Sequence, residues 1–311
     1  MKRYKINTFG IKLGKVSTDN IFNLSTQNLI CDFKIPRFTI NKNPVIIQAD
    51  PFVFLYNDTL FLFYEEQQLG KCGIIKMIQS KDLQHWSKPV IVLKEPFHLS
   101  FPFVFSLNNE VYMLPESGAD DSIRLYKSLT SDLTKWTFVR TLICSERKND
   151  VIYNYADSSI ISKDGWYYLF TSVFRNNIYY QELYYSDSID GEWRKHPCSP
   201  IHVGNKYGRN AGCVFTNEGE FFRPTQDCRN SYGENVSILR IKNLTPISYS
   251  EEVYKENILP LNKYKNGGHQ YNHIKMNNFY IVATDYRGKT INLLHTVKIF
   301  IKELLRIILS K

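Results

Sequence analysis

The stretch Ala49-Asp50-Pro51-Phe52-Val53-Phe54-Leu55-Tyr56-Asn57-Asp58-Thr59-Leu60-Phe61-Leu62-Phe63-Tyr64 sets two short apolar runs on either side of an Asn-Asp pair. Asn and Asp tolerate the positive φ of a tight hairpin, so the stretch predicts two antiparallel strands joined by a two-residue turn. The arrangement returns at Phe101 to Leu107, Asn108-Asn109 and Glu110 to Leu114, and again at Ser158 to Ser162, Lys163-Asp164-Gly165 and Trp166 to Thr171. Five units open at Ala49-Asp50-Pro51, Phe101-Pro102-Phe103, Ala156-Asp157-Ser158, Asn210-Ala211-Gly212 and Gly268-His269-Gln270. From Asp50 through Pro102, Asp157 and Ala211 to His269 the steps are 52, 55, 54 and 58 residues. That is the length of one four-stranded blade, and the pattern predicts an all-β, five-bladed β-propeller with a funnel at its axis.

Three repeats carry a polar stretch ending in tryptophan: Lys81 to Trp86, Ser131 to Trp136 and Ser188 to Trp193. An Asp that caps a turn, followed by an indole, suits a blade edge where the ring covers the gap to the next blade. We read these tryptophans as structural. The 311 residues, 43% apolar and 14% aromatic, suffice for one large all-β core. The expected layout is an N-terminal extension at 1–44, the propeller at 45–288 and a C-terminal helix at 289–311. Ile46-Ile47 could begin a strand that closes the ring with the fifth repeat.

The net charge of +9 favours acidic partners, but the scattered basic residues form no nucleic-acid motif. Met1 to Lys15 lacks the apolar run of a signal peptide. The six cysteines form no C-x-x-C pair, so a zinc site or disulfide framework is not expected and a cytoplasmic location is. Thr290 to Lys311 is apolar except where His295, Lys298, Lys302 and Arg306 recur at steps of three and four. The spacing predicts a basic amphipathic helix, poor as a membrane span, that suits an anionic membrane surface; packing on the propeller or in a dimer is the alternative.

Repeat openings at a propeller axis face the funnel, which singles out Asp50, Asp157, His98, Arg209 and His269. The ends of second strands add Glu65, Glu116, Arg223, Gln226 and Asp227. A carboxylate after an apolar strand more often marks strand exit, the reading favoured for Glu65, whereas Glu116 and Asp227 occupy matching places in two repeats. Asp120-Asp121 is read as a solvated turn, and neither a metal nor a cofactor is expected.

Ala49-Asp50-Pro51, Phe97-His98-Leu99-Ser100-Phe101-Pro102-Phe103-Val104-Phe105, Tyr112-Met113-Leu114-Pro115-Glu116-Ser117 and Arg223-Pro224-Thr225-Gln226-Asp227-Cys228 resemble the propeller module at the amino end of plant glucosamine inositolphosphorylceramide transferases. Similar modules accompany bacterial polysaccharide genes. The likeness spans about residues 45 to 288 and extends more distantly to the five-bladed family 43 glycoside hydrolases. That second resemblance implies that Asp50 is a general base and that Asp157 tunes an acid. The family's general acid, a Glu near the fourth opening, has no match in Gly208-Arg209-Asn210-Ala211-Gly212, unless Glu116 or Asp227 substitutes.

Arg209, Arg223, Arg229, His98 and His269 would make the funnel cationic as well as acidic, and guanidinium groups fork onto phosphate oxygens. A leaving phosphate needs no strong acid. The expected function is a membrane-associated glycosyltransferase using a sugar-phosphate or nucleotide-sugar donor, with a glycan or glycolipid acceptor, in bacterial cell-surface polysaccharide or glycolipid assembly. Asp50, Asp157 and Glu116 would be catalytic, while His98, Arg209, Arg223, Gln226, Asp227 and His269 would bind substrate. A family 43-like hydrolase, marked by a third funnel carboxylate within reach of Asp50, and a non-catalytic glycan-binding propeller are the alternatives.

Overall fold

A computed structural model describes residues 5–18, 21–145, 147–148, 151–152, 154–260 and 266–309. Val45–Tyr56 and Thr59–Gln68 pair antiparallel down to Tyr56 opposite Thr59, with Asn57 and Asp58 between them at φ 47° and 55°. Two successive left-handed residues give the turn whose twist matches that of the strands. Asn108-Asn109, Asp164-Gly165, Asn176-Asn177 and Glu218-Gly219 repeat it at four further hairpins. The turn pairs read from the sequence therefore fix hairpin register, as predicted.

Among the described residues the chain is all-β apart from one α-helix and short 3-10 turns. Val45–Tyr56, Thr59–Gln68, Ile74–Ser80 and Val90–Leu93 follow one another across the first repeat's sheet. Ser100–Leu107, Glu110–Glu116, Ser122–Ser128 and Trp136–Cys144 make the second in the same sequential order. The third has Tyr155–Lys163, Trp166–Arg175, Ile178–Ser186 and Arg194–Lys195; the fourth has Phe215–Asn217, Glu220–Asp227, Asn235–Leu244 and Tyr249–Lys255. Tyr271–Lys275 and Phe279–Asn292 form the last hairpin, and Lys5–Ser17 adds to it antiparallel from Lys5 opposite Ile291 to Ser17 opposite Phe279. Residues 5–17, which the sequence left in an extension, are thus a sheet strand. The same strand touches Val45–Tyr56 through a parallel pairing of Phe9 with Ile47, which joins the last hairpin to the first sheet.

Three repeat openings share a register slip: between Ala49 and Phe52, Ser100 and Phe103, and Ala156 and Ser159. Inside each slip sits a residue at positive φ: Asp50 at 50°, Phe101 at 45° and Asp157 at 52°. A bulge bends its strand and re-aims one side chain, and Asp takes the left-handed region more readily than most residues. The structural counterpart of Asp50 in the second repeat is therefore Phe101 rather than Pro102. The Phe101 ring meets Phe52 edge-on at 4.8 Å, and its N–H donates to Asp50 Oδ2 at 3.1 Å.

The tryptophans are structural, as read. The Trp86, Trp136 and Trp193 indoles donate to the carbonyls of Leu83, Leu133 and Ile189. Trp136, on the second sheet, meets Phe63 of the first sheet edge-on at 6.0 Å, so the ring does cover a gap between sheets. Asp120 pairs with Arg124 and Asp121 is left-handed, which makes that pair a turn. Leu293–Leu309 forms the predicted helix, with Asn292 Oδ1 accepting from the His295 N–H at its start.

Candidate active site

A cavity of about 160 Å³ is walled by Asp50, Glu65, His98, Glu116, Arg209 and His269, with Phe9, Ile47, Ala49, Ser100 and Tyr232 completing it. Strands of the first and second sheets contribute, with loops carrying His98, Arg209, Tyr232 and His269, which is how residues from positions 9 to 269 meet. That volume holds about five waters at liquid density, space on the scale of one sugar ring.

Asp50 is 5% exposed. His269 Nε2 lies 3.4 Å from Asp50 Oδ1, and His269 Nδ1 lies 2.5 Å from Asp285 Oδ2. Asp285 also accepts the backbone N–H groups of His269, Gln270 and Asp50, so it fixes both the imidazole and the bulge that carries Asp50. Burial opposes charge on His269, but the Asp285 and Asp50 carboxylates outweigh it and raise its pKa. Burial pushes Asp50 up to about 6, with His269 pulling the other way.

Opposite stands a second pair. Arg209 Nε lies 2.5 Å from Asp157 Oδ2, its Nη1 donates to the Tyr179 hydroxyl at 3.2 Å, and its guanidinium lies 4.9 Å from the Tyr232 ring centre. Gln226 Nε2 donates to Asp157 Oδ2 at 3.2 Å, and the Asn210 amide holds the Asp157 carbonyl at 2.8 Å. Burial works against the Arg209 charge, but the Asp157 carboxylate leads the groups that keep it protonated. Glu116 Oε2 is 3.7 Å from Arg209 Nη2, too long for a hydrogen bond. Burial, reinforced by the Asp157 charge, raises the Glu116 pKa well above the ordinary carboxylate range despite Arg209.

Glu65 is the wall that sequence reasoning passed over as strand exit. It is 5% exposed, and burial followed by the Asp50 and Glu116 charges raises its pKa well above the ordinary value. His98 Nδ1 accepts from the Gly73 N–H at 2.9 Å, so its proton sits on Nε2, 3.3 Å from Glu65 Oε1. The site can therefore hold ionised and protonated carboxyls side by side in one cavity.

Asp50, Glu116, His98, Arg209 and His269 come together at this cavity, with Asp157 and Gln226 held directly behind Arg209. Two predicted residues do not join them. Arg223 is wholly buried against Glu251, Gln181 and the Tyr207 carbonyl, a structural hub on the third and fourth sheets. Asp227 pairs with Arg229, whose side chain is 55% exposed. The funnel is thus less cationic than expected, because Arg223 and Arg229 are spent elsewhere and Arg209 is neutralised by Asp157. Asp285 and Tyr232 were missed; only the position of Asp285 after the apolar run Phe279 to Ala283, like that of Glu65 after Leu60 to Tyr64, could have flagged it. Asp50, His269 and Asp285 offer ligand atoms within 4.8 Å of one another, the one grouping among the described residues able to hold a cation.

Residues 33–288 match the family described as glucosamine inositolphosphorylceramide transferase 1, N-terminal. The chain belongs to this family. Glucosamine inositolphosphorylceramide transferase 1 of Oryza sativa subsp. japonica is 37% identical over 236 residues, covering 73% of the chain and 30% of the rice protein. That of Arabidopsis thaliana is 32% identical over 254 residues, covering 78% of the chain and 31% of the relative. The chain spans about a third of the length of these curated relatives.

Among solved structures, a thermostable family 43 glycoside hydrolase superposes with a TM-score of 0.55 at 17% identity, covering 76% of this chain and 84% of that one. A family 117 glycoside hydrolase from Zobellia galactanivorans gives 0.53 at 14%, covering 79% and 85%. These show a shared propeller-type fold. The curated relatives correct the expected setting: they are plant transferases named for an inositolphosphorylceramide, which overturns the assignment to bacterial cell-surface assembly.

Proposed function

We propose that the sheets form five blades about one axis, and that the axial cavity is an acid–base site for glycosyl transfer involving a glycolipid. The supporting observation is the contrast between Asp50, with a pKa of about 6, and the half-buried Glu116 facing the same space, whose pKa is well above the usual range. At neutral pH that leaves one carboxylate to accept a proton and one carboxylic acid to give one, the division of labour glycosidic chemistry needs. Asp50 takes the proton of the attacking hydroxyl, while the His269–Asp285 pair holds it in place. Glu116 protonates the departing oxygen, and Arg209, clamped by Asp157 and Tyr179, positions it. The names of the relatives supply the class of partner, a sugar donor and a glycolipid acceptor.

The test is turnover of a glycoside panel and of glucosamine-bearing inositolphosphorylceramide, with binding followed by calorimetry. Asp50→Asn and Glu116→Gln should each lower turnover by about a hundredfold or more while binding persists, the usual share of a general acid or base. The pH profile of the wild type should fall on its acid side near pH 6, where Asp50 takes up a proton. Glycan binding without turnover, indifferent to Asp50→Asn, would make the cavity a recognition site instead.

A further inference from the structure

A second cavity lies on the other side of the closing strand. Phe9 faces the axial cavity, whereas Thr8, Gly10 and Lys12 line a groove of about 670 Å³ shared with Lys34 to Arg37 and Tyr286 to Lys289. Lys12, Lys34, Arg37, Arg287 and Lys289 line it against one carboxylate, Asp32. Asp32 is already engaged by the Tyr286 hydroxyl at 2.9 Å and by Lys34 at 3.5 Å. Arg287 donates to Ser231 and to the Tyr232 carbonyl. The groove is strongly cationic, and no acidic side chain balances Arg37 or Lys289 within it.

The groove runs directly into an apolar surface. The Ile291 N–H donates to the Arg37 carbonyl at 2.9 Å and the Asn292 amide to the Asn41 carbonyl at 2.8 Å, which straps residues 37–41 to the base of the helix. Phe38 and Ile40 on that strap are 56% and 62% exposed. Leu293, Leu294, Val297, Phe300, Ile301 and Leu305 are exposed too, and at 100° per residue they share one face of the helix. His295, Lys298, Lys302 and Arg306 occupy the opposite side and its border. Lys289 lies three residues, about 10 Å of strand, before Asn292.

We infer that this face, helix, strap and groove together, docks on an anionic phospholipid bilayer. An exposed apolar stripe flanked by cations fits an interface of acyl chains beneath anionic headgroups better than it fits water or a neutral partner. Headgroup phosphates enter the groove at Lys34, Arg37 and Lys289, while Phe300 and Ile301 sink below them. No helix among the described residues is long and apolar enough to cross a membrane, so this one lies in the interface plane. The assignment is independent of the chemistry proposed for the axial cavity.

The test is co-sedimentation of the full chain with vesicles of phosphatidylcholine, with and without phosphatidylserine. Binding should require phosphatidylserine and weaken as salt is raised. The triple variant Lys34→Ala, Arg37→Ala, Lys289→Ala should bind about tenfold or more weakly, since each cation near the surface contributes appreciably. Phe300→Asp with Ile301→Asp should abolish binding, and Asp50→Asn should bind as wild type does. All five groove and helix side chains lie at the surface of the strap, strand end or helix, so an unchanged melting curve separates loss of docking from loss of fold. Equal binding to both vesicle types, no binding to either, or a triple variant that binds normally would overturn the inference. So would a dimer seen by light scattering that Phe300→Asp dissolves, which would assign the face to a second copy of the chain.

Discussion

At the residue scale the site is governed by burial. Glu65 has two consequences that can be separated from catalysis. Its pKa is raised by burial, so the folded state keeps its proton into a pH range where the unfolded chain has lost it. The stability this contributes is present below the ordinary carboxylate pKa and is lost as pH rises towards the raised value, about 1.4 kcal/mol for each unit between the two. Glu65→Gln removes the titration and keeps the neutral shape. Its urea midpoint should therefore exceed that of wild type at about pH 8 by clearly more than at about pH 5. A gap that stays constant across that range would mean that Glu65 is ionised in the folded protein. Asp50 and His269 were legible because polar groups recur at the repeat openings, whereas Asp157, read from the same signal, stands behind Arg209 and outside the cavity wall. Glu65 and Asp285 were not legible, since a carboxylate that follows an apolar run reads as strand exit, whereas both strands continue beyond it. Arg223 misled for the converse reason: the whole segment from Phe222 to Asp227 is buried, so no alternation told which side chains face the axis.

At the element scale the turns carry the fold, and sequence alone located Asn57-Asp58, Asn108-Asn109 and Asp164-Gly165 but not Asn176-Asn177 or Glu218-Gly219. Asn108 and Asn109 sit at φ 50° and 62°, a region in which a β-branched side chain crowds the following carbonyl. Asn108→Val should lower stability by about 1–2 kcal/mol, whereas Asn108→Gly should change it little, both read from urea unfolding. Equal effects would show that the Asn side chain, rather than its backbone angle, is what the turn uses. Glycine at 212 answers a stricter demand, for it combines φ 145° with a position where a Cβ would lie 2.1 Å from the Tyr271 carbonyl oxygen. Backbone cannot withdraw by that much, so Gly212→Ala should leave little soluble protein at expression. The openings were harder to align than the turns. A bulge adds one residue without altering composition, and that is why the second opening reads as Pro102 in sequence and Phe101 in structure.

For the whole molecule the question is how the last hairpin is held to the first sheet. The answer is the strand Lys5–Ser17, which pairs along its length with Phe279–Asn292 and touches the first sheet at Ile47. Phe9, Ile11 and Leu13 alternate with Gly10, Lys12 and Gly14, a period-two signal present in the sequence but outside every repeat, where nothing indicated its partner. Leu13 is fully buried in a cluster that includes Leu62, Tyr64 and Ile78 from the first sheet and Ile281 from the last hairpin. One cluster thus gathers side chains from both ends of the chain's repeat series. Leu13→Ala should destabilise by about 2–5 kcal/mol, the range for a buried leucine whose cavity cannot collapse. Because this strand joins the last hairpin to the first sheet, the loss should move a single unfolding transition by calorimetry. Phe138→Ala, at a side chain 45% exposed, should move it far less. If Leu13→Ala instead produced an early partial transition and left the main one in place, the sheets would be stable without closure, and the axial cavity, whose wall includes Phe9 of the same strand, would open before the rest of the fold is lost.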